Sequence, residues 1–125
     1  MSGSSARPSS YPYQNERIWS GMEKTIARRV FDAALKRELQ QIMQEAKQKA
    51  DRIKEPADVW ELESYLTRRR KDVDRKYEFR TSSLTRVFGT LLFENRISEE
   101  ELRGLGEDKM EAIRSCARVL SADVA

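Results

Sequence analysis

One uninterrupted helical pattern dominates the first half of the chain. Between Glu16 and Lys54 there is no proline, and the only glycine is Gly21. Apolar residues recur in this stretch at steps of mostly three and four, at Ile26, Val30, Ala34, Leu35, Leu39, Ile42, Ala46, Ala50 and Ile53. This spacing predicts an amphipathic helix from about Met22 to Lys54. Such a helix would be about 50 Å long.

The apolar stripe of this first helix is narrow, and its other faces carry Lys, Arg, Glu and Gln. A helix of this length cannot bury its stripe on short elements, so it requires a long antiparallel partner from its own chain or another. Pro56 then either ends the first helix or begins a second. A second apolar stripe follows at Val59, Leu62, Leu66, Val73 and Tyr77. Together the two stripes predict a long antiparallel hairpin, too thin to be stable as a monomer, and therefore a homodimer.

The predicted dimer interface consists of apolar positions along the hairpin. These positions are Leu39, Ile42, Leu62, Leu66 and Val73. Arg69 or Arg70 falls in the gap between Leu66 and Val73. A cation in or beside an apolar seam either extends its charged end to solvent or pairs with a carboxylate across the interface.

The last third of the chain predicts a small helical head. One clean helical face is formed by Leu84, Val87, Phe88, Leu91 and Leu92. Ser98 and Glu101 have the spacing of a capping box for a short helix. Asp108 is expected to cap a last helix, in which Cys116 lies on the apolar flank as a small hydrophobic residue. The predicted fold class is therefore all-α, with a long helical hairpin and a small head in a dimeric assembly.

Composition limits the chemistry that this chain can perform. It contains no His, and Cys116 is its single Cys. Imidazole bases, Cys/His nucleophile pairs and His- or Cys-rich zinc sites are therefore excluded. We expect no enzymatic activity, no cofactor and no metal site.

The charge and hydropathy of the chain predict a highly solvated protein with a disordered N-terminal segment. Charged residues make up 36% of the chain and its formal net charge is +3, with the two signs interleaved. The Ser-, Pro- and Tyr-rich residues 1–14 predict a disordered tail, and residues 15–125 a single all-helical domain. Because there is no signal peptide and no run of about 20 apolar residues, we expect a cytoplasmic protein without membrane contact.

The one dense basic run, Arg68 to Lys71, raises the alternative of nucleic-acid binding. Four consecutive helical positions point in four directions about 100° apart, so the run cannot form one basic stripe. Asp72 and Asp74 follow it at once. We therefore expect no nucleic-acid binding.

A candidate protein-binding face lies on the second helix. Trp60, Glu63, Thr67 and Arg70 step by three, four and three, which places them on one flank beside the apolar stripe. A large aromatic residue next to a guanidinium is typical of a protein–protein hot spot. In the alternative interpretation, Trp60 packs at the hairpin turn and Arg70 pairs with Glu63 or with an acid across the dimer.

The run from Trp60 to Arg80 resembles the fluorescence recovery proteins of cyanobacteria. Its first part, Trp-Glu-Leu-Glu-Ser-Tyr-Leu-Thr-Arg-Arg-Arg, is similar to the family's Trp-x-Leu-His-Asp-Phe-Leu-x-x-Lys-Arg. Its second part, Asp-Val-Asp-Arg-Lys-Tyr-Glu-Phe-Arg, is similar to the family's Glu-Ile-Asp-Gly-Lys-Tyr-Asp-x-Arg. The match continues without a gap through Glu100-Glu101-Leu102 and extends back to Phe31, so it covers about residues 20 to 120.

The resemblance implies an all-helical dimer that acts without covalent chemistry. Members of the family bind the photoactivated orange carotenoid protein, largely through its C-terminal domain. They accelerate its return to the dark form and its release from the phycobilisome. The resemblance thus implies a role in photoprotection and in the control of non-photochemical quenching.

The family's functional residues carry over only in part. The family's functional Trp and Arg correspond to Trp60 and Arg70. The resemblance therefore implies that this part of the partner-binding face is retained. The family's adjacent His and Asp fall on Glu63 and Ser64, a functional Phe falls on Arg86, and a functional Lys falls on Ala112. The predicted partner-binding residues are therefore Trp60, Glu63, Ser64, Arg70 and Arg86. These differences keep open an alternative, a helical adaptor that binds another protein in an organism without the photoprotein.

Overall fold

The computed structural model describes residues 18–124, so the predicted disordered tail at residues 1–14 lies outside the described residues. Its helices are α1 (Gly21–Asp51), α2 (Pro56–Lys76), α3 (Leu84–Phe93), a short 3-10 helix (Glu99–Leu102) and α4 (Glu107–Val124). Residues 18–124 contain no β-strand, which confirms the predicted all-α class. None of these helices is both long enough and apolar enough to cross a membrane.

The start of α1 is set by a capping box. Ser20 Oγ accepts a hydrogen bond from the Glu23 backbone N–H at 3.1 Å, and Glu23 Oε1 accepts one from the Ser20 N–H at 2.9 Å. The two side chains thereby satisfy amide groups that have no partner within the helix. The helix ends at Asp51, three residues before the predicted end at Lys54.

A tight turn reverses the chain between α1 and α2. Pro56 is the first residue of α2, where its missing N–H costs no hydrogen bond. The carboxylate of Asp58 accepts the backbone N–H groups of Lys54 and Glu55 at 2.9 and 3.1 Å. These bonds require Lys54 to lie in the turn, which explains why α1 stops early.

The apolar core lies in a head formed by residues 19–38 and 76–120. The predicted face of α3 is confirmed, since Leu84, Val87, Phe88 and Leu91 are fully buried. The first half of α1 supplies the other side of the core with Ile26, Ala27, Val30, Phe31 and Ala34. This half of α1 therefore buries its stripe on the head, whereas the sequence predicted that the whole stripe needs a long partner helix.

Within the head, α3 and α4 approach each other closely at Gly89. A Cβ at this position would lie 2.6 Å from Cβ of Cys116. Cys116 is half-buried, and burial raises the pKa of its thiol. The prediction that Asp108 caps α4 was wrong, because α4 already begins at Glu107.

The second half of α1 and most of α2 form an arm, residues 39–75, that projects as two antiparallel helices. Between Leu39 and Asp51, α1 has no buried residue. In the α2 part of the arm only Tyr65 is buried. The arm is thus as thin as the sequence predicted, and it has no apolar core of its own.

A buried ion pair fastens the start of α1 to the start of α4. Lys109 Nζ lies 3.1 Å from Glu23 Oε1, and Glu23 Oε2 accepts the Gly106 N–H at 2.7 Å. Burial alone would raise the pKa of Glu23, but the backbone hydrogen bonds from Ser20 and Gly106 and the contact with Lys109 lower it to about 2. Glu23 is therefore charged in the folded protein under nearly all conditions.

This pKa makes the stability contribution of Glu23 pH-dependent. A carboxyl group whose pKa is lower in the folded state stabilises above its unfolded pKa, and this contribution is lost as the pH falls toward its folded pKa. We expect Glu23→Gln to lower the free energy of unfolding by about 1–3 kcal/mol near neutral pH. The difference from the unmodified protein should shrink as the pH falls from the ordinary carboxyl pKa of 4.5 to about 2. Denaturant unfolding at several pH values measures it, and a difference that is independent of pH would contradict this assignment.

Candidate protein-binding surface

Trp60 lies on the outer side of α2 and is 67% exposed. It does not pack into the hairpin turn, which was the alternative interpretation of its position. An open groove of about 480 Å³ lies beside it, lined by Lys49, Ala57, Trp60, Glu61, Ser64, Tyr65 and Arg68. The structure therefore brings Trp60 and Ser64 of the predicted site into one groove.

Arg70 and Glu63 lie on the exposed flank of α2 outside the lining of the Trp60 groove, and they do not pair with each other. The Arg70 side chain is 84% exposed, and its Nε lies 4.0 Å from Asp74 Oδ2. Glu63 Oε2 instead accepts a hydrogen bond from Thr67 Oγ1 at 3.0 Å. Because an exposed ion pair at this distance is weak, the Arg70 guanidinium remains available to a partner.

Arg86 lies in the head, on α3, away from the groove lining. Its Nη2 donates to Glu78 Oε1 at 3.2 Å, and Glu78 also pairs with Arg80 at 3.0 Å. Ala112 is half-buried on α4, beside a shallow cavity that also includes Asp108 and Glu111. The predicted partner-binding residues thus divide between two parts of the molecule, the outer side of α2 and the head.

The predicted dimer-interface residues lie on one side of the arm. Leu39 and Leu66 are 44% and 39% exposed, and Ile42, Leu62 and Val73 are half-buried. Two further large apolar side chains of the arm, Met43 and Val59, are 57% and 43% exposed. Leu35, Leu39 and Met43 also line an open apolar groove of about 390 Å³ on α1. We call the set Leu39, Met43, Val59 and Leu66, with the half-buried residues between them, the apolar face of the arm.

The apolar face and the Trp60 groove occupy different sides of α2. Residues two apart on a helix are rotated by about 200°, and Ser64 is two residues from both Leu62 and Leu66. Ser64 lines the groove, whereas the two leucines belong to the apolar face. An assembly built on the apolar face would therefore leave the Trp60 groove open.

The basic run from Arg68 to Lys71 is divided by the helix, as its consecutive positions predicted. Arg69 points inward, where its Nη2 lies 2.5 Å from Glu38 Oε2. This contact identifies Arg69, and not Arg70, as the cation in the gap of the apolar stripe. The sequence analysis gave this cation two alternatives, extension to solvent or a carboxylate across the interface, and the structure shows a carboxylate of the same chain.

Glu38 forms a buried charged centre at the base of the arm that the sequence analysis missed. Its side chain is fully buried and accepts from Lys76 Nζ at 2.9 Å and from the Tyr77 hydroxyl at 2.8 Å. Arg96 Nε adds a third cation at 3.2 Å, in addition to Arg69. The centre therefore joins α1, α2 and the turn after α3, and it fixes the arm to the head.

The pKa values of these groups follow from their contacts. Burial alone would raise the pKa of Glu38, but hydrogen bonds from Lys76 and Tyr77 and the nearby charges of Lys76 and Arg96 hold it below its ordinary value. Burial and the hydrogen bond to Glu38 raise the pKa of Tyr77. Glu38 is consequently an anion and Tyr77 a neutral donor. Residues 18–124 contain no cluster of acidic or Cys side chains suited to a metal ion.

Comparison with known proteins relates this fold and surface to one family. Residues 19–117 match the family described as photoprotection regulator fluorescence recovery protein. The chain is 35% identical to the fluorescence recovery protein of Synechocystis sp. PCC 6803 over 104 residues, which is 83% of this chain and 95% of that protein.

Solved structures of the same family share the fold. The fluorescence recovery protein of Fremyella diplosiphon superimposes with a TM-score of 0.78 at 35% identity, covering 81% of this chain and 99% of that one. The structure from Synechocystis sp. PCC 6803 gives the same TM-score, identity and coverage. The chain belongs to the fluorescence recovery protein family of photoprotection regulators.

Proposed function

We propose that this protein is a homodimeric regulator that binds a photoactivated orange carotenoid protein. It accelerates the return of that photoprotein to its dark form and its release from the phycobilisome. The observation that carries this proposal is family membership over residues 19–117. The exposed Trp60 and Arg70 on the outer side of α2 support it, because they occupy the positions of the family's functional Trp and Arg. In this proposal the protein acts in the cytoplasm, without a cofactor, through the C-terminal domain of its partner.

Binding alone is sufficient for such an activity. A regulator shifts a two-state equilibrium when its affinity for the two states differs, and by no more than that difference. It accelerates the conversion only if it binds the barrier state more tightly than the starting state. A tenfold faster recovery requires a barrier lower by about 1.4 kcal/mol, which one well-packed aromatic contact can supply. No nucleophile or acid–base pair is needed.

The apolar face of the arm supports the homodimer. An antiparallel pair of helices without a core of its own leaves Leu39, Met43, Val59 and Leu66 substantially in contact with water. A second copy that covers this face would remove apolar surface from solvent, at about 25 cal/mol for each Å². We therefore place Leu39, Ile42, Leu62, Leu66 and Val73 in the interface.

Leu66→Glu is expected to convert the dimer into a monomer. The side chain is 39% exposed in the single chain, so the substitution leaves the head core intact while placing a charge in the interface. Light scattering should change from about twice the chain mass of 14.6 kDa to that mass itself. Leu102→Ala, a core change in the head, is the control that lowers stability without changing the association state. If Leu66→Glu keeps the mass of the unmodified protein, the proposed interface is wrong.

Differential binding provides the direct test of the proposed function. The protein should co-elute with an illuminated orange carotenoid protein at micromolar concentration, and at least tenfold less with the dark-adapted form. Equal binding of both forms would contradict the proposed selectivity for the photoactivated form. Absence of binding to either form would contradict the proposed partner.

A helical adaptor with another protein partner is the second candidate. It is favoured by Glu63, Ser64, Arg86 and Ala112, which stand where the family has His, Asp, Phe and Lys. Glu63 and Arg86 are moreover engaged by their own chain, with Thr67 and Glu78. If the photoprotein does not bind, capture of a different protein that is lost in both Trp60→Ala and Arg70→Ala supports this candidate.

A further inference from the structure

The groove beside Trp60 combines an aromatic wall with two unpaired cations. Trp60 forms its exposed edge, and Tyr65, only 7% exposed, forms part of its floor. Lys49 Nζ lies 4.9 Å from the centre of the Tyr65 ring, which holds the ammonium group at the groove. Arg68 lies on the same side of α2, two helical turns after Trp60.

The lining of the groove carries more basic than acidic side chains. In the part of the chain that the structure describes, neither Lys49 nor Arg68 has a carboxylate oxygen within 4.0 Å. Some surface cations of the two long helices, such as Arg28 and Arg75, pair with a neighbouring acid, whereas others, such as Lys36 and Lys71, form no such pair within the described residues. Glu61 is the one acidic residue in the lining, so the groove carries an excess positive charge.

The acid nearest to the groove is already engaged. Glu45 accepts a hydrogen bond from the Tyr65 hydroxyl and another from Gln41 Nε2 at 3.0 Å. Arg69 Nη1 adds a cation at 3.7 Å. These contacts lower the pKa of Glu45, the bond from Tyr65 being the strongest cause. The charge of Lys49 is a further, smaller cause of the lowered pKa of Glu45. Neither Lys49 nor Arg68 forms an ion pair with this carboxylate within the described residues, so both can contact an external anion.

We propose that this groove binds an acidic segment of the partner protein, with an aromatic or large apolar side chain against Trp60 and carboxylates against Lys49 and Arg68. The proposal specifies the chemistry of the partner and rests on the proposed function, since that function makes the outer side of α2 the binding face. Aromatic anchors flanked by complementary charges are a common design of protein–protein hot spots. The groove lies on the side of α2 opposite Leu62 and Leu66, so it stays open in the proposed dimer.

The test compares two double variants with the same change of charge. The double variant Lys49→Glu with Arg68→Glu reverses the sign of the two positive charges in the groove. The control, Lys24→Glu with Arg118→Glu, reverses the charge at two exposed positions elsewhere. Binding of the illuminated photoprotein should weaken at least tenfold in the groove variant and less than twofold in the control. Lys49→Gln with Arg68→Gln, a milder pair at the same positions, should weaken binding in the same direction. Equal affinity of the unmodified protein and both groove variants would overturn the proposal and leave the proposed function intact.

A second measurement decides the proposal if the photoprotein does not bind at all. Trp60 and the buried Trp19 are the two tryptophans of the chain, so a ligand in the groove should change mainly the Trp60 emission. The probes are the synthetic peptides Asp-Glu-Phe-Glu-Asp and Lys-Lys-Phe-Lys-Lys. A saturable change with the acidic peptide alone, weakened by added salt and absent in the groove variant, supports the proposal. The same response to both peptides, or none to the acidic one, overturns it.

Discussion

Replacing Glu38 with glutamine is expected to lower the free energy of unfolding by about 3–5 kcal/mol. Glu38 is fully buried, and it is the shared partner of Arg69, Lys76 and Arg96. Glutamine retains the shape and one acceptor oxygen but removes the negative charge. Three cations would then remain close together around a neutral group, and the removal of one partner from a buried charged cluster is strongly destabilising.

Neighbouring carboxylates compensate only partly for this loss. Glu94 lies 2.8 Å from Lys76 and 2.8 Å from Arg96, but it is on the turn after α3 and not on α1. The Glu38→Gln protein therefore has a weaker link between the arm and the head, although the bond from Arg96 to Gln41 at 2.8 Å remains. We expect the arm to exchange its amide hydrogens earlier than the head, because local opening precedes global unfolding where contacts are few.

Chemical denaturation and hydrogen exchange measure these two effects. Glu111→Gln is the matched control, since it makes the same chemical change on α4 at an exposed residue that forms no ion pair within the described residues. It should change the unfolding free energy by less than about 0.5 kcal/mol. A similar, small effect of both substitutions would show that the Glu38 centre does not hold the arm to the head.

The second large effect is expected at the proposed binding face. Trp60→Ala and Arg70→Ala should each reduce the acceleration of photoprotein recovery at least tenfold, because hot-spot aromatic and Arg side chains contribute about 2 kcal/mol or more. Both side chains are mainly exposed, at 67% and 84%, so the variants should keep the stability and the dimeric mass of the unmodified protein.

The control for this pair is Arg118→Ala, an exposed position in the head. It should leave recovery unchanged within a factor of two. If Trp60→Ala and Arg70→Ala behave like this control, then the outer side of α2 is not the binding face. A loss of activity that accompanies a loss of dimer mass would instead assign both residues to the interface.

The local sequence pattern was sufficient to predict the presence of the helices, because helix formation depends mainly on residues that are close in the chain. The stripe from Ile26 to Ile53 predicted α1, which ends three residues before the predicted Lys54. Of the two roles given to Pro56, the start of α2 is the one observed. The Ser98 and Glu101 spacing predicted a capping box, which is present at the 3-10 helix. The short helix was predicted without its type, since spacing over four residues does not distinguish 3-10 from α geometry.

Contacts between distant residues could not be predicted in the same way. Glu38 lies at a buried position of the α1 stripe, where an apolar residue would be expected. Its charge is tolerated there because Arg69, Lys76 and Arg96 surround it. Nothing near Glu23 in the sequence identifies Lys109 as its partner. A carboxylate inside an apolar period is the signal that would have marked Glu23 and Glu38 as buried charges, without identifying their partners.

The candidate site was predicted in its position but not in its composition. Helical spacing correctly placed Trp60 and Arg70 outside the core, and the same spacing could not choose between an exposed and a packed tryptophan. The position of Lys49 in the groove could not be predicted, because Lys49 lies on α1 and contacts the Tyr65 ring of α2 across the hairpin. Arg86 was assigned to the partner-binding residues by the family resemblance alone, and the structure places it in the head.

Recovery kinetics of the photoprotein test the proposed regulation. An orange carotenoid protein is converted to its red form by illumination, and its return to the orange form is followed in the dark with and without this protein. An equimolar amount of this protein should accelerate recovery at least tenfold, and Trp60→Ala should abolish most of this acceleration. Recovery at the uncatalysed rate, even with a large excess of folded dimer, would contradict the proposed function.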